Sequence, residues 1–94
     1  MTTADLQWQQ ITGGDVDPHD TVHEATTAEG YILGSAFSPD CGPWAYATDA
    51  DHNGYDSICI NGASISDYIA HGKLKAVELL QALRAYKQSQ ETTT

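Results

Sequence analysis

The sequence contains no lysine or arginine before residue 73. All four basic side chains lie between Lys73 and Lys87, and only two of the 13 acidic residues, Glu78 and Glu91, follow residue 72. Proteins bind phosphate groups through Lys and Arg, which displace the counterions of the nucleic acid or membrane. Direct binding of nucleic acid or of an anionic membrane is therefore disfavoured. A basic protein or nucleoprotein complex is the natural complement to a chain with a net charge of −9.

Long apolar segments are also lacking. No apolar run approaches the roughly 18 residues of a transmembrane helix, and no charged-then-apolar leader is present at the N-terminus. We therefore expect a cytoplasmic protein, either a monomer or a homodimer. A hydrophobic content of 40% over 94 residues predicts one folded domain over residues 1–94.

The sequence has two cysteines, Cys41 and Cys59, and leaves open whether they are bonded, although a cytoplasmic address favours free thiols. The segment 41–44, Cys-Gly-Pro-Trp, lacks the second cysteine of a thioredoxin-type redox motif. His19 and His23 could join the cysteines at a zinc ion, but structural zinc sites usually have closely paired cysteines. There is no Gly-x-Ser-x-Gly motif and no phosphate-binding glycine loop. We therefore predict no enzymatic activity and no cofactor.

Alternating apolar residues predict β-strands in the middle of the chain. Two strands are expected over residues 21–27 and 31–37, where β-branched and aromatic residues are frequent. Two more are expected on either side of Asn53-Gly54, which is typical of a tight hairpin turn with left-handed dihedral angles, and the second of these contains Ile58 and Ile60. Four strands with short connections predict an antiparallel β-meander over residues 20–62.

The two ends of the chain have weaker or helical patterns. Residues 1–14 are predicted to form a short helix or a strand, and we favour a helix that Thr3 caps and that ends near Ile11, although a strand with Leu6 and Trp8 on one face fits nearly as well. Helices are predicted over residues 64–88, and residues 89–94 are expected to be a frayed tail.

Within residues 64–88 we expect two helices. Ser64 and Asp67 form a capping-box pattern before a short helix that Gly72 ends. The second helix is expected from Lys73 to Lys87, with an apolar stripe of Ala76, Leu79, Leu80, Leu83 and Tyr86. The sequence therefore predicts an α+β domain, in which a C-terminal helix covers one face of a four-stranded antiparallel β-meander and leaves its own basic residues solvated.

Acidic residues are the main candidates for partner binding. They form two groups along the chain, namely Asp49, Asp51 and Asp56 in the predicted hairpin and Asp15, Asp17 and Asp20 in a loop. Alternate residues of a strand lie about 6.6 Å apart on one face, so an extended Asp49 and Asp51 would match the spacing of neighbouring phosphates. Candidate apolar anchors are Trp44, Tyr46 and Tyr55. Adaptation to high salt, or selection for solubility, accounts for the same composition and remains an alternative.

A calcium-binding module is a further alternative. Oxygen-bearing side chains at Asp49, Asp51 and Asn53 match the first half of an EF-hand loop, and Asp56 could complete a looser site. The second half of the EF-hand pattern is absent, because Ile60 occupies the position of the bidentate glutamate.

The segment Tyr46 to Asp51, Tyr-Ala-Thr-Asp-Ala-Asp, belongs to a short, acidic, single-domain chain with a predicted meander and terminal helix. In its size, acidity and predicted fold, and in this short segment, the chain resembles the small phage-encoded inhibitors of host defence, including anti-CRISPR proteins that mimic DNA. Those proteins have no shared catalytic residues to carry over. The resemblance implies a stoichiometric inhibitor of a nucleic-acid-binding complex.

Overall fold

The computed structural model describes residues 6–14, 16–58 and 60–92, with side chains to residue 90. Within these ranges, five strands form one sheet and a single helix follows them. The elements are β1 (Gln9–Ile11), β2 (Thr21–Thr26), β3 (Ile32–Ser38), β4 (Gly42–Thr48), β5 (Gly54–Ser57) and α1 (Ile65–Thr92). The strands lie in chain order and each is antiparallel to its neighbours. The α+β class and the antiparallel sheet are confirmed, with five strands rather than the predicted four.

The additional strand is β1, so the favoured N-terminal helix is wrong for residues 9–11. Gln9 pairs with Glu24, and Ile11 pairs with Val22. The edge of β2 supplies backbone hydrogen-bond partners, whereas a helix this short is marginal without packing. The strand also lets Leu6 and Trp8 pack against the hydrophobic core. The predicted cap at Thr3 lies outside the described residues.

The prediction of a tight turn at Asn53-Gly54 is also wrong. The β4–β5 connection is a loop of residues 49–53, and its left-handed residue is His52, with a φ of 65°. The side chain of Asp49 explains this loop, because its Oδ1 atom accepts hydrogen bonds from the backbone N–H groups of Asp51 (2.9 Å) and Asn53 (3.0 Å). An aspartate that binds the backbone two residues ahead stabilises a turn of its own.

Gly54 belongs to β5, where it pairs with Thr48. A Cβ atom on Gly54 would lie 2.0 Å from the carbonyl oxygen of Ala47, so this glycine permits a close approach of two strands. β5 ends at Ser57, earlier than predicted, and leaves Ile58 exposed beyond the strand.

The predicted break at Gly72 is absent, and one helix runs from Ile65 to Thr92. Gly72 instead lets α1 approach the sheet. A Cβ atom on Gly72 would lie 2.1 Å from Ser35 Oγ, and that hydroxyl donates a hydrogen bond to the carbonyl oxygen of Ile69 (2.7 Å). The glycine is therefore a packing residue and not a helix terminator.

The ends of α1 differ in how well they were predicted. The capping interaction at its start is present, because Ser64 Oγ accepts a hydrogen bond from the backbone N–H of Asp67 (3.2 Å). The predicted frayed tail is wrong for residues 89–92, which are helical, while residues 93–94 lie outside the described part. Among the described residues, no helix has both the length and the apolar character needed to cross a bilayer.

The two sheet faces have different environments, and we call them the covered face and the open face. The covered face packs against α1, and its core consists of Leu33, Ala45, Ala47, Ala76, Val77 and Leu80. The open face carries the alternate residues, including Trp44 and Tyr46 on β4. A 28-residue helix is about 42 Å long, whereas a seven-residue strand spans about 23 Å. The C-terminal end of α1 therefore projects beyond the sheet, where Tyr86 is 52% exposed rather than buried as predicted.

Candidate functional site

The basic side chains all lie on α1, and each contacts an acidic or aromatic group. The pairs are Lys73 with the ring of Trp8, Lys75 with Glu78, Arg84 with Glu29, and Lys87 with Asp49. The expectation that these bases remain simply solvated is therefore wrong. Because α1 lies on the covered face and the rest of the chain has no Lys or Arg, the open face carries no Lys or Arg side chain.

Asp49 is occupied by contacts within the protein. Its Oδ2 atom lies 2.7 Å from Lys87 Nζ, its Oδ1 atom accepts the two backbone hydrogen bonds of the loop, and its side chain is only 17% exposed. The hydrogen bond from Lys87, followed by those from the loop backbone, lowers the pKa of Asp49 below its usual value. Since residues 49–53 form a turn, Asp49 and Asp51 do not have the spacing of an extended strand.

The predicted acidic residues do not form one cluster. Antiparallel strands in chain order place residues 12–14, 16–20 and 39–41 at one end of the sheet and the loop 49–53 at the other. Asp17 and Asp20 are therefore separated from Asp51 by the length of the strands, and Asp15 lies outside the described residues. The carboxylate of Asp17 accepts the backbone N–H of His19 (2.9 Å) and is exposed, while Asp20 is half-buried.

A row of paired residues crosses the open face and positions Tyr46. Glu24, Gly34, Tyr46 and Asp56 are neighbours in register on four adjacent strands. The ring of Tyr46 lies across Gly34, because a Cβ atom there would be 1.9 Å from the ring's Cζ atom. The Tyr46 hydroxyl donates a hydrogen bond to Glu24 Oε2. No sequence pattern singles out Glu24, because its position beside Tyr46 depends on the strand register.

Four of the predicted site residues come together along β4 and β5, at one edge of the sheet. They line a shallow hollow of about 290 Å³, which we call the open-face hollow, together with Thr48, His52 and Gly54. The four are Trp44, Tyr46 and Asp56, whose side chains share the open face, and Tyr55, which pairs with the buried Ala47 and directs its ring towards the covered face. Trp44 and Tyr46 are half-buried, Tyr55 is 40% exposed, and Asp56 is exposed. This arrangement offers aromatic surface next to an accessible carboxylate.

The burial of Tyr46, together with its hydrogen bond to Glu24, makes stability depend on alkaline pH. Burial, and then the hydrogen bond to Glu24, raise the pKa of Tyr46 above its usual value of 10.0. An unfolded tyrosine loses its proton near pH 10, while the folded one keeps it, so this stabilisation is complete below about pH 10 and is lost as the pH rises through the folded pKa. In urea titrations, we expect the free energy of unfolding to fall more steeply above about pH 10 in the wild type than in Tyr46→Phe. Equal slopes would contradict the raised pKa.

The calcium and redox alternatives gain no support from the side-chain positions. Within residues 6–14, 16–58 and 60–92, no three His, Cys, Asp or Glu side chains lie close enough together to hold a metal ion. Both carboxylate oxygens of Asp49, the first ligand of the calcium alternative, accept hydrogen bonds within the protein, one from Lys87 and the other from the loop backbone. Cys41 is a free, exposed thiol before strand β4, whereas the thioredoxin motif precedes a helix. Cys59 lies outside the described residues.

Comparison of the chain with protein-family models, curated proteins and solved structures found no match. The functional interpretation therefore depends on the chemistry of these side chains. Two features stand out, namely the absence of Lys and Arg from the open face and the aromatic and acidic lining of the open-face hollow.

Proposed function

We propose that this chain is a non-enzymatic interaction protein that binds a basic surface of a nucleic-acid-binding protein or nucleoprotein complex and thereby inhibits it stoichiometrically. The observation that carries this proposal is the open-face hollow, where Trp44 and Tyr46 adjoin Asp56 on a face without Lys or Arg. Because this face is acidic, the chain would compete with nucleic acid for the same basic surface.

The lining of the hollow suits protein recognition. Tyr and Trp are enriched at interface hot spots, where their large rigid rings exclude water from nearby polar contacts. Asp56 can then pair with a Lys or Arg of the partner in a partly desolvated setting. The remaining acids, such as Asp51 and Asp17, lie further out and contribute mainly to the rate of association.

Mimicry of nucleic acid, in this proposal, depends on charge and not on phosphate spacing. Asp49 is paired with Lys87, and Asp51 lies in a turn, so the two carboxylates do not continue a regular strand. The negative potential of the open face needs no regular spacing to attract a basic surface, because no Lys or Arg on that face opposes it.

Charge neutralisation tests this proposal. We expect the double variant Asp51→Asn/Asp56→Asn to associate with its purified partner roughly 3- to 10-fold more slowly than the wild type at low salt, because electrostatic steering contributes a factor of about 10–10³ to association rates. The salt dependence of the rate should also be weaker. Stopped-flow association at several ionic strengths measures both effects.

The matched control is Gln81→Lys/Gln88→Lys, on exposed positions of α1. Both double variants change the net charge by the same two units, but only the aspartate pair lies in β5 and in the loop between β4 and β5. The control should associate nearly as fast as the wild type. Equal slowing of both variants would show that overall charge, and not this surface, drives association, and the proposal would then be wrong.

A further inference from the structure

In the part of the chain that the structure describes, strand β5 is an open sheet edge next to the hollow. It is the last strand in the sheet order, and its first three residues are exposed. An edge strand presents unpaired backbone N–H and C=O groups, which can accept another strand. In many protein complexes, an extended segment of the partner binds in this way, with backbone hydrogen bonds for affinity and side-chain pockets for specificity.

The hydrogen-bond pattern identifies the backbone groups at this edge. The N–H of Asp49 donates to the carbonyl oxygen of Asn53 (2.9 Å), at the loop end of the β4–β5 ladder. Hydrogen-bonded and non-hydrogen-bonded pairs alternate along an antiparallel ladder. Tyr55 and Ser57 therefore face β4 with their backbone groups, and Gly54 and Asp56 direct theirs towards the open edge.

Cavities lie on both sides of this edge. On the open face is the open-face hollow, and on the covered side is a groove of about 670 Å³ between β5 and the projecting end of α1. Gly54 and Tyr55 line both cavities. Successive side chains of a strand point to opposite faces, so a strand added beside β5 would place its side chains alternately towards the two.

The two cavities differ in chemistry. Tyr55, Leu83 and Tyr86 give the covered-side groove an apolar wall, and the two charged residues that also line it, Lys87 and Asp49, are paired with each other. The open-face hollow has the carboxylate of Asp56 beside aromatic rings, which suits a lysine or arginine. An added strand that fits both would alternate basic and apolar residues.

We propose that an extended segment of the basic partner, with alternating Lys or Arg and apolar residues, binds along β5 as a sixth strand of the sheet. This proposal rests on the proposed function and adds the mode of binding. The basic side chains lie on the open face at Asp56, and the apolar side chains occupy the groove beside Tyr86. Backbone hydrogen bonds form with Gly54 and Asp56.

A synthetic peptide provides the test. The probe is an eight-residue, end-blocked peptide of alternating lysine and valine, and the controls are a Lys-Lys-Val-Val rearrangement of the same composition and an alternating glutamate and valine peptide. By calorimetry, we expect the alternating lysine peptide to bind at least tenfold more tightly than either control. Hydrogen exchange should slow at the amides of Gly54 and Asp56.

N-methylation of the probe separates strand addition from charge attraction. In an extended peptide, all the valine N–H groups point to one edge and all the lysine N–H groups to the other. Methylation of one set should therefore abolish binding, while methylation of the other set should leave it unchanged. Equal effects of the two methylated peptides would overturn strand addition.

Variants of Asp56 give an independent measurement on the full chain. Asp56→Asn removes the charge but keeps the edge N–H, whereas Asp56→Pro removes both and leaves the hydrogen-bonded pairs with β4 intact. We expect Asp56→Pro to bind the probe at least tenfold more weakly than Asp56→Asn. Should Asp56→Pro fail to fold, the methylated peptides still decide the matter.

Two results would overturn the proposal in distinguishable ways. If both lysine peptides bind equally and neither N-methylated form is weakened, strand addition is wrong while a basic partner remains supported. If neither lysine peptide binds more tightly than the glutamate peptide, both the strand addition and the proposed function are wrong.

Discussion

Replacement of Leu80 by alanine is expected to lower the free energy of unfolding by about 2–5 kcal/mol. Leu80 is fully buried and packs in a core that also contains Leu33, Ala45 and Ala47. The short alanine side chains cannot extend into the space that Leu80 would leave, so the upper half of this range is expected. Urea unfolding followed by far-ultraviolet circular dichroism measures the change.

Leu74→Ala is the matched control for Leu80→Ala. Leu74 is on the same helix but is exposed, so the same truncation leaves no cavity and should change the free energy of unfolding by less than about 0.5 kcal/mol. If both variants lose the same stability, α1 does not pack on the sheet through the Leu80 face.

Gly72→Ala is expected to destabilise the protein by about 1–3 kcal/mol, although alanine forms helices better than glycine. Helix propensity alone predicts a gain of about 1 kcal/mol. Packing should prevail, because the new Cβ atom would lie 2.1 Å from Ser35 Oγ. Ser35 is fully buried and cannot move aside without losing its hydrogen bond to Ile69.

A second substitution makes the cause of the Gly72→Ala effect measurable. Ser35→Gly removes the side chain that the new methyl group would meet. Gly72→Ala should therefore be far less destabilising in a Ser35→Gly background than in the wild type, with a coupling energy of about 1 kcal/mol or more. A stabilising effect of Gly72→Ala in the wild-type background would contradict the close approach of α1 to β3.

The same residues show how far sequence patterns predict this fold. Period-two alternation indicated β3 and β4, because each strand has one face against α1 and one face outward, while β2 was indicated by its β-branched residues. β1 has only three residues, two of them glutamine, so its formation depends on the available edge of β2 and not on its own composition. Glycine is favoured both after a helix and where a helix meets a sheet. Only the position of Ser35 shows which role Gly72 has.

The candidate site was predictable in its residue types but not in its arrangement. Trp44 and Tyr46 were assigned to one strand face, and the structure places them together on the open face. Asp49 and Asp56 are both aspartates of the predicted hairpin, and the sequence does not distinguish them. In the structure, Asp49 is paired with Lys87, 38 positions away, while Asp56 is exposed. Local patterns cannot reveal such a pairing, because it depends on where α1 crosses the sheet end.

Site-specific photo-crosslinking tests partner binding by the open face most directly. A photoreactive phenylalanine derivative replaces Trp44 on the open face or, as the control, the exposed Gln81 on α1. Illumination in a cell extract, with and without added nucleic acid, should give an adduct with a basic nucleic-acid-binding protein from position 44 only, and the nucleic acid should suppress it. Adducts from position 81 alone, or adducts from position 44 that nucleic acid does not suppress, would contradict binding of a basic partner through the open face.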